Sequence, residues 1–364
     1  MGCISDKSKA FDMIEDVQNI FSFKKDKYKT LLRIITDYGF PFEKHYYETQ
    51  DEYINCLHRI SGPKGTTVAE NRKRYKQRPV LLYQHGLLDS SAGACANGPD
   101  NSLAFFFAEA GYDVWMNNAR GNLFSRQHVS LDPDAEEDKK FWDFSFQDMA
   151  SKDLPACISF ILKKTGVSSL TYAGHSQGTT QCMASMCENP DFFRERVNLF
   201  IMMAPVAKVK NMKAEVFQKI KNMTSLMQVL EKMGPELFPV PQADGKVVSV
   251  LLKHSGISLA GMITACDTDI EHISQDGLET MLGHSPAGST VQQIDHFRQL
   301  VCSGNFQKYD YGKEKNLSVY GEEIAPHYDL SQLHHFPIAL FCGREDLLSS
   351  TEDYTWLSEE LEKA

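Results

Sequence analysis

The apolar run SLTYAGHS passes without a break into GTTQCMASMCE. The first segment has the β-branched and aromatic character of a buried strand, and the second has helical spacing. Between them G-H-S-Q-G supplies small residues on both sides of Ser176. A strand that becomes a helix across so short a turn is the crossover unit of a parallel sheet. That constrains the rest of the chain more than any other feature.

Neighbouring segments repeat the alternation. HYYETQDEYINCLHRI alternates and turns as a hairpin. RPVLLYQHG is a continuous apolar strand, LAFFFAEAG a helix closed by Gly111, and YDVWMNNARG the next strand. FQDMASKDLPACISFILKKTG is an amphipathic helix, kinked near Pro155 and capped by Gly166. NLFIMMAP and PIALFCG add two further strands. The pattern predicts an α/β domain with a mostly parallel sheet and helices on both faces. Residues 1–30 read as a polar extension with one short helix, from the spacing of Phe11, Ile14, Val17, Ile20 and Phe21. Residues 31–206 and 326–364 form the core, and 207–325, helical and irregular, form a cap or lid inserted into it.

Composition narrows the class. With 42% hydrophobic and 24% charged residues the chain is an ordinary globular protein. A net charge of −10 argues against a nucleic-acid partner, and the basic run NRKRYKQR (Asn71 to Arg78) reads as a solvated loop. No apolar stretch approaches the ~20 residues that span a bilayer, and the charged N-terminus is no export signal. Nine dispersed cysteines suggest reduced thiols and a cytoplasmic setting, in which the sequons at Asn222 and Asn316 would be silent. The start MGC offers Gly2 for myristoylation and Cys3 for palmitoylation, and so a membrane anchor. Asp6 stands where the acylation pattern wants Ser or Thr, which favours a plain polar start.

Ser176 is the candidate nucleophile, placed as in a nucleophile elbow, with Gly174 and Gly178 keeping the turn tight. The helix N-terminus behind it offers free N–H groups to a developing oxyanion. Gly86 in QHGLLDS allows a second close turn, so that the N–H groups of Leu87 and Gln177 can share the oxygen. His85 and His175 are expected to shape their loops. Asp346 lies just past the strand PIALFCG, at the sheet end where such folds place their sites, with Glu345 as the weaker neighbour.

These blocks resemble the acid lipase family, the gastric and lysosomal lipases of the α/β-hydrolase superfamily. The resemblance rests on QHGLLDS, NSLAFFFAEAGYDVWMNNARGN, FWDFSFQDMASKDLPACISFILKKTG and YAGHSQGTT, and later on GHSPAGSTVQQIDHFRQLVCSGNFQKYDYG and FPIALFCGREDLL. It runs from about residue 30 to the end. It implies an α/β-hydrolase fold and hydrolysis of triacylglycerols or steryl esters at a lipid–water interface. The route would be an acyl-enzyme on Ser176, with Asp346 as triad acid, Leu87 and Gln177 as oxyanion donors, and no metal or organic cofactor. In this family the base is a histidine one strand beyond the acid. Here LLSSTEDYTWLSEELEKA follows Asp346 and holds none. His334 and His335 precede the Asp346 strand, and His254, His272, His284, His296 and His327 lie in or near the cap. The expectation is a shortened form of an active lipase; the alternative is a non-catalytic lipid-binding protein that uses the cap pocket. The cap disulfide of well-known members has no evident counterpart, since Cys266 stands alone.

Overall fold

The central sheet is built outward from β3 (Val80–Gln84), whose five residues are all buried. In the computed structural model, which describes residues 26, 29–74, 77–214, 234–237 and 274–363, β3 pairs in parallel with β4 (Asp113–Asn117) on one side. On its other side it pairs in parallel with β6 (Leu170–His175). The sheet has eight strands. β1 (Phe42–Glu48) and β2 (Tyr53–Ile60) form the expected antiparallel hairpin, which joins β4 antiparallel. The two-residue β5 (Gln127–His128) extends β2. Beyond β6, β7 (Val197–Met203) and β10 (Ile338–Phe341) continue in parallel. The short β8 (Glu236–Leu237) and β9 (Ser289–Thr290) pair separately. Each strand expected from an apolar run is present. The chain lays β4 on one flank of β3 and β6 on the other, so the carboxyl ends of β3 and β6 flank the point where strand order reverses. Crevices for ligands open at such points.

The central strands β3, β4 and β6 are buried and largely apolar because both faces are covered. Leu82, Trp115, Leu170, Tyr172, Phe200 and Met202 pack on one side with α3 (Leu154–Thr165) and α4 (Gln177–Glu188). On the other side Leu81, Tyr83, Val114, Met116 and Ala173 meet α1 (Leu31–Asp37) and α2 (Leu103–Glu109). Later helices α5 (Gln275–His284), α6 (Val291–Ser303), α7 (Lys313–Tyr320) and α8 (Thr351–Glu362) follow. Leu300 of α6 belongs to the same cluster as the strands.

Three expectations meet finer detail. The stretch before Pro155 is helical throughout, as Phe146–Asp148, a π turn at Met149–Asp153, and α3 closed by Gly166 at φ 74°. A proline without an N–H removes one helical bond, and a widened turn absorbs the mismatch. The basic run is not wholly solvated: Asn71 is buried, donates to Thr66 and accepts from Arg78. Asn316 is also buried, its amide donating to Asp310 and to the Glu323 carbonyl. Packing alone therefore closes that sequon. The N-terminal helix, Gly2, Cys3, Asn222, His254, His272, Cys266 and much of the 207–325 segment lie outside the described residues.

Arg59 is one of several buried charges. It is fully buried, donates to both oxygens of Asp113 at 2.7 and 2.6 Å, reaches Glu43 at 3.1 Å and lies over Trp115. Burying a guanidinium is tolerable only while its carboxylates remain. Asp113→Ala is expected to cost about 3–5 kcal/mol, read from the midpoint of chemical denaturation.

Candidate active site

Ser176 sits between β6 and α4 with φ 51° and ψ −118°. A non-glycine residue there carries strain of about 1–3 kcal/mol, and the surroundings must hold it. Its N–H donates to the Met203 carbonyl at 3.0 Å, while its own carbonyl accepts from the Thr179 N–H and hydroxyl. The two glycines of the motif are both needed. A Cβ on Gly178 would come within 2.4 Å of the Gln84 carbonyl oxygen. One on Gly174 would meet Tyr172 at 2.8 Å and the Gly178 backbone at 3.0 Å. The Tyr172 hydroxyl then donates to the Gly178 carbonyl at 2.7 Å. The helix is thereby pulled onto the ends of β3 and β6, and the turn at Ser176 has no room to relax.

The same closeness brings the loop after β3 to the serine. A Cβ on Gly86 would lie 3.2 Å from Ser176 Cβ, so Gly86, and with it Leu87, runs beside Ser176. His85 pins this loop: its Nε2 accepts the Ala119 N–H at 3.0 Å, leaving the proton on Nδ1, which donates to the Gly86 carbonyl at 2.8 Å. Burial depresses its pKa to about 4, so it stays neutral. Among the described residues the backbone N–H groups of Leu87 and Gln177 have no protein acceptor. Two unpaired donors on either side of a hydroxyl are what an acyl-transfer oxyanion requires.

Asp346 follows β10, and its Oδ1 accepts the N–H groups of Leu348 and Ser349 at 2.8 and 2.9 Å. Glu345 is exposed. Ala204, next to the Met203 that holds Ser176, donates to the Phe341 carbonyl at 2.8 Å. Ser176 and the Asp346 loop thus stand at the same carboxyl edge of the sheet, with β7 between their strands. The segment leaving β7 is tied to this loop, with Lys213 and Ala214 donating to the Leu347 carbonyl and Asn211 to Asp353.

No described histidine bonds to the Ser176 hydroxyl. His296 stacks on Phe146 and bonds Ser145 and the Gln307 carbonyl, and burial depresses its pKa to about 4. His334 bonds the Glu360 carbonyl, and His284 faces the Asp26 carbonyl. His175 lies against Gly86.

Sequence reasoning passed over two residues here. Asp89 follows the donor loop, and burial pushes its carboxyl up to about 7, with Ser90 and Ser285 as partners; its Oδ1 has no partner among the described residues. The pairing of Leu and Leu before it with Ser and Ser after it was the available signal. Gln293 of α6 donates to Gln177 Oε1 at 3.0 Å, and no local pattern distinguishes it from other polar helix residues.

The partial α/β-hydrolase lipase region matches residues 31–98, and the α/β hydrolase fold family matches 79–226. Human gastric triacylglycerol lipase is 38% identical, covering 88% of this chain and 79% of its own length. Rat gastric triacylglycerol lipase is 37% identical over 89% of this chain and 80% of its own. Human lipase member K is 33% identical over 88% and 79%.

Two outcomes follow from the geometry. Gly178→Ala should lose about 1–3 kcal/mol, because the Gln84 carbonyl it would strike is backbone, and thermal unfolding reads it. The folded Asp89 carboxyl titrates above an unfolded one, so its contribution to stability is full below about pH 4 and is lost as pH rises through about 7. Asp89→Asn should therefore match the parent's melting temperature near pH 4 and exceed it at pH 8. With the motif, the fold and the relatives in agreement, the chain belongs to the acid lipase family of the α/β-hydrolases and is, by that membership, a carboxylic ester hydrolase.

Proposed function

We propose that the chain hydrolyses neutral lipid esters, triacylglycerols or steryl esters, at a lipid–water interface, with Ser176 as the nucleophile. The observation that carries this reading is the left-handed turn at Ser176, held between the two unpaired N–H groups of Leu87 and Gln177. In the reaction the Ser176 oxygen attacks the ester carbonyl, and the carbonyl oxygen takes up negative charge between those donors. Collapse expels the alcohol and leaves an acyl-serine, which water hydrolyses. Asp346 has the role of orienting the imidazolium of the base. That base is none of the described histidines, and the sequence after Asp346 holds no other.

The similarity to gastric triacylglycerol lipases supports the neutral-lipid assignment. A second reading, a lipid-binding protein without hydrolysis, draws on the absence of a described histidine at Ser176. Long-chain ester hydrolysis by the protein, compared with its Ser176→Ala variant, separates the two. The expected loss is at least ~10³-fold in kcat. Equal rates in the two proteins would remove Ser176 from the mechanism, and no hydrolysis by either would favour the binding protein.

A further inference from the structure

We infer that Gln293, on the helix that returns from the inserted segment to the core, is a positioning residue for the oxyanion donor Gln177. This rests on the reading of Gln177 as a donor. Gln177 is the first residue of α4, immediately after the strained turn, and first-turn N–H groups have no intrahelical partner. Its direction is set by the peptide plane between Ser176 and Gln177, that is by Ser176 ψ and Gln177 φ, and the Gln177 side chain is a handle on that φ. That side chain is buried, and its carboxamide has two contacts. Its Nε2 donates to Met149 Sδ at 3.4 Å, a weak acceptor, and its Oε1 accepts from Gln293 Nε2 at 3.0 Å. Among the described residues the Gln293 amide is therefore the one strong restraint on the Gln177 side chain.

Gln293 is itself well fixed. Its N–H donates to the Thr290 hydroxyl at 3.0 Å, and that hydroxyl donates to the Phe144 carbonyl at 2.9 Å. Gln293 is fully buried, and its Oε1 has no partner among the described residues. A leucine of similar volume would remove the unpartnered Gln293 Oε1 but leave the buried Gln177 Oε1 unpaired in its place, so the two effects offset and stability alone does not select an amide at this position. What the amide does is hold Gln177. The same return segment also grips the other donor loop, where Ala287 donates to the Leu88 carbonyl at 2.7 Å. Both oxyanion elements thus have a contact with the segment that leads into α6.

The test compares the chain with Gln293→Leu and Gln293→Glu. For Gln293→Leu, amide hydrogen exchange over residues 176–180 should speed up about tenfold, with the melting temperature close to the parent's. Turnover of a soluble short-chain ester should fall about tenfold in kcat, with KM within about twofold. Gln293→Glu should recover activity at low pH, where a protonated carboxyl donates to Gln177 Oε1. It should lose that activity as the carboxylate forms, a limb absent from the parent and from Gln293→Leu. Unchanged exchange over 176–180 in Gln293→Leu, or a loss of turnover that merely follows a lowered melting temperature, would overturn the proposal. If Ser176→Ala turned over like the parent, the donor reading would fail instead, and the exchange result would still judge the contact.

Discussion

The site depends on one close approach, that of the Gly178 backbone to the Gln84 carbonyl at the end of β3. With no Cβ at Gly178, α4 comes down onto β3, and the Tyr172 hydroxyl ties the Gly178 carbonyl to the adjoining strand. The single residue left to join β6 to α4 must then turn left-handed, and Ser176 does so. The strain of that turn is distributed over the bonds to Met203 and Thr179. The same approach draws Gly86 against Ser176 and so brings the second donor loop within reach.

Around this point the inserted segment is fastened at both ends to different parts of the site. Its entry is bonded to the loop that carries Asp346, through the Leu347 carbonyl and Asp353. Its exit is bonded to the Leu88 carbonyl and to Gln177. A movement of either stem would be felt at one side of Ser176 before the other. Asp89 and Ser285 lie in the exit contact, and the Asp89 carboxyl is held in its neutral form by burial up to about pH 7.

Much of this was legible in the sequence, for physical reasons. Strands buried on both faces leave apolar runs, so β3, β4 and β6 were readable one by one, and β7 and β10 kept the same apolar composition although they are only partly covered. The turn at Ser176 was readable because its glycines sit where a Cβ would strike backbone. What escaped was set by distant packing. Gln293 gains its meaning from a residue 116 positions away. Asn71 reads as part of a charged loop until Gly62 leaves room for its side chain. The helix before Pro155 reads as kinked, because a π turn has no signature in residue spacing.

The central claim is that Ser176 attacks while the N–H groups of Leu87 and Gln177 receive the charge. A crystal structure of the chain after reaction with an alkyl phosphonate ester tests it most directly. The account predicts phosphorus bonded to Ser176 Oγ, with the phosphoryl oxygen about 2.7–3.1 Å from both nitrogens. An adduct on another residue, or a phosphoryl oxygen turned away from Leu87 and Gln177 into solvent, would contradict it.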